Sequence, residues 1–356
     1  MNRFKLFSHH PFFIRLLNWE YWSFNTVYAL MYPVFAWYFI KAGFRYFYSA
    51  SNPSIENGGF LMEKKQDIFP LIPSSYYPAY FFVKSGTSIL TIKQEIKNLH
   101  FTYPLIAKPV IGMQGKAVKK ITCEEELEHY TSVCTVDFLV QEFSPYKSEV
   151  GIFYYRYPNA ENGTVTGIVA KEPMCVIGDG KSTLLELIMA EPRYILQVDA
   201  LKQMYKDGIH QVLQTGESKI LAPYGNHARG SKFLDWTERA DETFIKNIDE
   251  FCKQIPGFFY GRLDVMYDNW EDLRLGKNFH VIELNGAGSE PTHMYDPRHS
   301  IFFAWKEISK HWNILYKVSK QNHEKGYAYM SFKEGSAVFK KNNELVKALN
   351  MIGKKL

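Results

Sequence analysis

The stretch Gly261-Arg262-Leu263-Asp264-Val265-Met266-Tyr267, followed after a polar interruption by Val281-Ile282-Glu283-Leu284-Asn285-Gly286, decides the fold. Apolar and polar residues alternate in both pieces, which is the pattern of a buried β-strand. Residues two apart on a strand share a face, so Arg262 lies with Asp264, and Glu283 lies with Asn285. The turn-rich segment 268–278 between the pieces predicts that the two strands pair as neighbours.

This pairing would gather two carboxylates, one carboxamide and one guanidinium in a sheet. Burying that much charge is costly unless something compensates it, and hard divalent cations such as Mg²⁺ accept oxygen-only ligands. The sequence therefore predicts a magnesium site. The alternative is a structural Arg–Asp ion pair beside an incidental glutamate.

The R-x-D and E-x-N strands resemble the metal-binding end of the ATP-grasp superfamily, in particular D-alanine:D-alanine ligase and its relatives. The resemblance implies an α+β ATP-grasp fold in which two lobes clasp ATP. It also implies that Asp264, Glu283 and Asn285 hold two Mg²⁺ ions, with Mn²⁺ as the alternative ion. Arg262 would act in catalysis by facing the transferring phosphoryl group or the oxyanion that follows it.

Upstream lysines supply candidate phosphate contacts in the order that this resemblance requires. Lys108 ends a short apolar strand, and the glycine loop 111–116 follows it. A lysine gives a point charge for phosphates, and glycines let backbone N–H groups approach closely. These features resemble the family's strand lysine and mobile phosphate lid, although a solvated loop lysine is the alternative. Lys65 resembles the first nucleotide lysine, and its neighbour Lys64 makes that alignment ambiguous.

The resemblance also assigns the adenosine contacts. Gln141, Glu142 and Phe143 would form the hinge between the lobes and read the purine, and Glu149 would accept hydrogen bonds from the ribose hydroxyls. Lys171 lies at a strand end where relatives place a second phosphate-contacting, catalytic base.

The segment Gly178-Asp179-Gly180-Lys181-Ser182-Thr183 ends like a P-loop, but the first glycine of that motif would fall at Cys175. A P-loop is therefore excluded. The segment resembles the V-x-G-D-G-K-S-T-x-x-E-L-I stretch of cyanophycin synthetase and related peptide-forming ligases. Ser182 is the predicted N-cap of the helix that follows, with Glu186 in its first turns.

Three residues are candidate substrate contacts by the same resemblance. Arg229 belongs to a glycine- and asparagine-containing loop that would lie over the phosphates. Glu290 and His293 lie where relatives contact the second substrate. Glu290 would suit an amine-bearing substrate and repel a free carboxylate, which differs from the serine-rich loop expected for a D-alanine dipeptide.

Composition narrows the class of protein. A chain of 356 residues with 46% apolar content can bury a sizeable core, and its net charge of +5 is modest. No helix-turn-helix, RNP or zinc-finger pattern points to nucleic acid. Four cysteines without C-x-x-C spacing are typical of reduced thiols, which favours a cytoplasmic location.

The ends depart from the family. Residues 21–40 carry no charge, are rich in aromatic side chains and have basic flanks. Three interpretations stay open: an interfacial helix, a true or re-entrant span, and a soluble core or dimer helix. The first two would bring the protein to the inner face of the membrane.

We expect three segments: a hydrophobic helical part at 1–50, an ATP-grasp domain at 51–298 and a helical extension at 299–356. Glu56 and Asn57 could reach the active site, from the side where relatives carry a Rossmann-like domain. Gly335 is predicted to separate the last two helices. The oligomeric state stays open.

Together these features predict an ATP- and Mg²⁺-dependent ligase that joins a small carboxylate to an amine through an acyl phosphate. The alternatives are an ATP-grasp kinase that phosphorylates a small molecule and a non-catalytic, membrane-associated ATP-binding scaffold. The buried charges argue against the scaffold, because an inactive relative has no physical reason to keep them. Fold analogy does not choose between ligase and kinase.

Overall fold

A computed structural model describes residues 9–112, 115–221 and 230–356, which form two compact units. The first unit holds the residues up to Pro33, Val169–Thr237 and Thr292–Ser309. The second unit holds Val34–Ile168, Glu238–Pro291 and Lys310–Leu356. The chain passes between the units several times, and the division into three consecutive segments stays a prediction.

Helices occur throughout the described residues. They are α1 (Pro11–Leu17), α2 (Phe24–Tyr28), α3 (Tyr32–Lys41), α4 (Lys65–Ile68), α5 (Ile89–Asn98), α6 (Glu124–Val133), α7 (Leu184–Ala190), α8 (Pro192–Ile195), α9 (Val198–Tyr205), α10 (Glu242–Lys253), α11 (Trp270–Arg274), α12 (Ile301–Glu324) and α13 (Phe332–Lys355). Short 3₁₀ helices include Ala29–Met31, Phe47–Ala50, Glu56–Gly59, Phe69–Leu71 and Thr292–Tyr295.

The strands are β1 (Tyr80–Val83), β2 (Leu105–Pro109), β3 (Lys119–Ile121), β4 (Phe138–Glu142), β5 (Ser148–Tyr155), β6 (Thr164–Glu172), β7 (Cys175–Ile177), β8 (Ser218–Ile220), β9 (Lys232–Asp235), β10 (Tyr260–Tyr267) and β11 (Phe279–Asn285). Helices and largely antiparallel sheets are thus combined, and the predicted α+β class is confirmed.

In the second unit, a four-stranded antiparallel sheet has the order β1-β4-β2-β3. Helix α5 begins after Ser88, whose hydroxyl accepts the Thr91 N–H at 3.2 Å, as an N-cap does. Its buried residues Ile92 and Ile96 lie one turn apart and join the core of this sheet, together with apolar residues of α6 and α13.

A second sheet in this unit places β10 at its centre, between β11 and β5, with the first residues of β6 beyond β5. Leu263 and Val265 of β10 are fully buried. Because side chains alternate along a strand, Arg262 and Asp264 point to the opposite face. That face carries the candidate site.

In the first unit, the end of β6 pairs with β9, and β7 pairs with β8 under helices α7 to α9. Thr183, and not the predicted Ser182, is the N-cap of α7. Thr183 and Glu186 form a reciprocal capping box, while the Ser182 hydroxyl donates to Asp179 at 2.7 Å. The glycine turn places Ser182 one residue too early to cap the helix.

The aromatic N-terminal segment is helical, as expected, but a 3₁₀ turn at Ala29–Met31 divides it into α2 and α3. Over the described part of the chain, every helix is too short or too polar to cross a bilayer. The interpretations of this segment stay predictions.

Candidate functional site

Strands β10 and β11 pair antiparallel, as the alternation predicts. Asp264 lies directly opposite Glu283, and Arg262 lies directly opposite Asn285. Directly opposite residues of an antiparallel pair point to the same face, so the four predicted side chains share one face of the sheet. The register shifts between Asp264 and Val265, which is a β-bulge at the site.

The Arg262 guanidinium donates two hydrogen bonds to the Asp264 carboxylate. Its Nε donates to Oδ1 at 2.9 Å and its Nη2 donates to Oδ2 at 3.0 Å. Asp264 is only 3% exposed. Burial lowers the pKa of Arg262, but the charge and hydrogen bonds of Asp264 outweigh it and hold the net pKa above its usual value. The guanidinium is therefore a fixed positive charge.

The two adjacent lysines contact different acids. Lys65 begins α4, and its Nζ lies 3.1 Å from Glu283 Oε1. Lys64 Nζ lies instead 3.2 Å from Glu56 Oε2, where both side chains are well exposed. Lys65 is thus the lysine that joins the cluster.

Lys108 approaches the same strand from β2. Its Nζ donates to the carbonyl of Ile282 at 3.1 Å and lies 5.2 Å from the centre of the Phe69 ring. Burial, and next the positive charge of Lys65, lower the pKa of Lys108 to about 7. Two lysines therefore converge on β11 from separate elements.

Competing influences act on the pKa of the Glu283 carboxyl group. Burial and the negative charge of Asp264 raise its pKa, but the charge of Lys65, then that of Lys108, and the hydrogen bond from Lys65 bring the net pKa below the usual value. The Glu283 side chain is 38% exposed, and a carboxylate that stays ionised there is a suitable cation ligand.

Sequence reasoning missed Glu63. Its Oε2 is buried and has no hydrogen-bond partner among the described residues, although the residue as a whole is half-buried. Burial, and next the charge of Glu283, raise the pKa of Glu63 to about 8. Glu63 and Glu283 line one small cavity of ≈ 20 Å³ with Lys65, Phe69 and Gly112. This volume admits about one water molecule.

A close backbone contact brings Glu63 to this place. The amides of Ala287 and Gly288 donate to the carbonyls of Gly58 and Gly59 at 2.9 and 2.8 Å. A Cβ on Gly59 would lie 2.6 Å from the Cα of Gly286, so side chains are excluded there. Residues 58–60 thereby run beside the end of β11.

The structure places Glu56 and Asn57 in local contacts, and their reach to the site stays a prediction. Glu56 contacts Lys64, and the Asn57 side chain donates to the carbonyl of Leu61 at 3.0 Å. Glu63 is the acid that this segment supplies.

The predicted hinge residues lie at the end of β4, where Gln141 and Glu142 are its last two residues and Phe143 follows. The Gln141 side chain donates to the Pro78 carbonyl at 3.0 Å, and the Glu142 N–H donates to Ala79 at 2.9 Å. Phe143 is exposed, with the Lys120 ammonium 4.3 Å from its ring centre. The Glu142 N–H is therefore already used by a carbonyl one residue before β1.

Glu149 belongs to β5 and lies opposite Met266 of β10. Since Met266 is two residues from Asp264, Glu149 shares the face of the cluster.

The remaining predicted residues are placed separately. Glu290, in the second unit, accepts from Arg262 Nη1 through its carbonyl at 3.4 Å. Lys171 and His293 belong to the first unit, where Lys171 pairs with Phe233 in the sheet and His293 is buried 3.4 Å from Glu307. Arg229 lies outside the described residues.

Three or more His, Cys, Asp or Glu side chains do not converge on a metal-sized site anywhere in residues 9–112, 115–221 and 230–356. The oxygen ligands of the predicted site are therefore two carboxylates, Asp264 and Glu283, and the Asn285 carboxamide. Mg²⁺ commonly takes one or two carboxylates from the protein and completes its shell with phosphates and water. This donor set fits such an ion.

Comparisons with known proteins show what the chain is similar to. No family model matches it. It is 24% identical over 203 residues to the glutathione biosynthesis bifunctional protein GshAB of Clostridium perfringens, over 51% of this chain and 25% of that protein.

Solved structures that are similar include a bifunctional glutathione synthetase from Pasteurella multocida, at 14% identity and a TM-score of 0.37, over 70% of this chain and 38% of that one. They also include D-alanine–D-alanine ligase from Bacillus anthracis, at 12% identity and a TM-score of 0.42, over 74% and 69% of the two chains. The chain thus spans well under half the length of either bifunctional protein. The resemblance to D-alanine:D-alanine ligase that the sequence indicates is confirmed as a resemblance.

Proposed function

We propose that this protein is an ATP-grasp enzyme, an ATP- and Mg²⁺-dependent ligase that joins a small carboxylate to an amine. The observation that carries the proposal is the convergence of Lys65, Lys108 and Arg262 on the opposed carboxylates Asp264 and Glu283. Phosphoryl transfer is catalysed mainly by positioning and by neutralising oxygen charge, which are the tasks that such a cluster performs.

Each side chain then has a distinct task. Asp264, Glu283 and Asn285 would hold Mg²⁺, which neutralises phosphate oxygens when bound. Lys65 and Lys108 would contact the phosphates. Arg262 is held by Asp264 and so is positioned to stabilise an oxyanion without reorganising during the reaction.

The nucleotide and substrate contacts outside the cluster are proposed from the sequence resemblance. Gln141, Glu142 and Phe143 would read the purine, and Glu149 the ribose. Because the Glu142 N–H already donates to the Ala79 carbonyl, the purine would be read mainly beyond Glu142. Lys171 would contact a phosphate.

Arg229, Glu290 and His293 are the proposed substrate contacts, and a cytoplasmic location would supply the ATP. The GshAB relative is named for glutathione biosynthesis, but the match covers a quarter of its length. The substrates proposed here are therefore limited to a carboxylate and an amine. A kinase would use the same cluster to phosphorylate a hydroxyl group, and trapping of the activated carboxylate by hydroxylamine separates the two reactions.

The two adjacent lysines offer a matched test of the site. ADP release is measured with Mg²⁺, ATP and pools of amino acids, fatty acids and amines. We expect Lys65→Ala to lower turnover about 100-fold, as loss of a transition-state charge contact does, and Lys64→Ala to leave it within about twofold. Equal activity of the two variants would contradict the placement of the nucleotide beside Glu283.

A further inference from the structure

The second unit exposes large apolar side chains on two elements that are distant in sequence. Trp37, Ile40 and Phe44 are 55%, 52% and 62% exposed on α3 and the turn after it. Phe332 and Phe339 are 61% and 37% exposed on α13. Exposed aromatic residues on this scale commonly mark a surface that binds something.

Ring contacts join these two elements into one surface. Phe39 lies 5.8 Å from Phe44 and 6.3 Å from Phe332, measured between ring centres. Tyr46 lies 6.0 Å from Phe332 and 5.7 Å from Phe339. We call these five rings the aromatic surface.

The aromatic surface is held firmly in place. Tyr46 packs on Gly335, where a Cβ would lie 2.0 Å from the Tyr46 ring. The Tyr46 N–H donates to the Met330 carbonyl, and the Met330 N–H donates to the Ser49 hydroxyl, each at 2.9 Å. The exposure of the aromatic surface is therefore a property of the folded unit and does not come from a frayed chain end.

Positive charges surround the same elements. Residues 34–48 carry two cations and no acid, and residues 332–341 carry three cations and one acid. The cations are Lys41, Arg45, Lys333, Lys340 and Lys341, all of them exposed. The acid, Glu334, is engaged by Ser331 in the capping box of α13.

We propose that the aromatic surface docks on an anionic lipid bilayer, with the rings at the headgroup level and the five cations facing lipid phosphates. Aromatic residues favour the interface between membrane and water, and juxtaposed lysines and arginines are attracted to anionic lipids. Since every described helix is too short or too polar to span, contact would be peripheral. Self-association through this surface would instead place five cations of one copy against five of another, which is repulsive.

The test uses the full chain and co-sedimentation with vesicles. Vesicles of phosphatidylcholine alone are compared with vesicles that contain about 30% phosphatidylglycerol. We expect binding to the anionic vesicles only, and loss of that binding in high salt. A chain that begins at Asn52 is a poor probe, because Phe47 and Tyr48 are buried in the second unit.

Point variants separate the contribution of the positive charges from that of the aromatic rings. Lys333→Glu with Lys340→Glu should weaken binding at least about 25-fold, from about fivefold per cation. Phe44→Ala with Phe332→Ala should weaken it about 10-fold or more. Phe302→Ala is the matched control, since Phe302 is 73% exposed but belongs to the first unit, and it should bind like the wild type.

Two kinds of result would overturn the proposal. One is equal binding to neutral and anionic vesicles, or binding to neither, by a protein whose circular dichroism shows it folded. The other is a concentration-dependent dimer that the Phe44→Ala and Phe332→Ala pair abolishes, because it would assign the surface to a second copy. Neither result touches the ligase proposal, which ADP release tests independently.

Discussion

Replacing Asp264 by asparagine is expected to destabilise the protein and to abolish its response to Mg²⁺ and ATP. Asparagine keeps one acceptor oxygen but turns an amide donor toward the guanidinium of Arg262. One of the two hydrogen bonds, at 2.9 and 3.0 Å, is then lost, and a buried cation loses its counter-charge.

The size of the effect follows from this geometry. Removing one partner of a buried ion pair costs about 3–5 kcal/mol. The Arg262 side chain is 17% exposed, so water partly screens its uncompensated charge. The lower limit of that range, about 3 kcal/mol, therefore applies. Relief of repulsion between Asp264 and the directly opposite Glu283 offsets about 1 kcal/mol more. We therefore expect a net loss of about 2 kcal/mol, or about 30-fold in the folding equilibrium.

Urea unfolding followed by circular dichroism measures this loss. Asp268→Asn is the control, because Asp268 is exposed just beyond β10 and its replacement should change stability by less than about 0.5 kcal/mol. The titration is repeated with Mg²⁺ and ATP, which should stabilise the wild type by about 2–3 kcal/mol at saturation and the Asp264→Asn variant not at all. A variant as stable as the wild type would refute the structural ion pair. A variant that ATP and Mg²⁺ still stabilise would remove Asp264 from the metal site.

Two further changes test the packing around the site and the C-terminal helix. Glu63→Gln should stabilise the protein at pH 8 and not at pH 4, because the raised pKa of about 8 keeps a proton on native Glu63 that the unfolded chain loses above about pH 4.5, so wild-type stability falls as the pH rises between those values. The full shift corresponds to about 5 kcal/mol, and since Glu63 is half-buried we expect under half of it, about 2 kcal/mol. An equal gain at both pH values in urea unfolding would contradict that cause. Gly335→Ala should cost about 1–3 kcal/mol despite the better helix propensity of alanine, because its Cβ would meet the Tyr46 ring. In a Tyr46→Ala background the same change should instead stabilise by up to about 1 kcal/mol, and a persistent loss would point to another clash.

The strand pair was predictable because alternation along a strand fixes which residues share a face. The positions of Asp264 and Glu283 followed from that alone, given the turn between the strands. Arg262 was likewise placed on the correct face. In β10 and β11 the alternation of apolar and polar residues decides which side chains share a face. The β-bulge after Asp264 is the feature that this alternation does not predict.

Features set by long-range contacts were not predictable in this way. Glu63 lies in a segment without strand or helix periodicity, and its placement depends on the contact between Gly59 and Gly286. Glycine often ends a helix, so Gly335 was assigned to a break, but it lies inside α13 because Tyr46 packs against it. The choice between Lys64 and Lys65 depends on where α4 begins, to within a single residue.

Trapping of an activated carboxylate by hydroxylamine tests the central proposal most directly. An acyl phosphate is electrophilic at carbon, so hydroxylamine attacks the carbonyl, displaces phosphate and forms a hydroxamate, whereas a phosphate ester is inert to it. With Mg²⁺, ATP and the carboxylate substrate, the ligase account predicts hydroxamate in step with ADP. It also predicts that Lys108→Ala loses both products together, because no carboxylate is activated without phosphate positioning. ADP formed together with a stable phosphoester, and no hydroxamate at any hydroxylamine concentration, would contradict the ligase account and establish a kinase in its place.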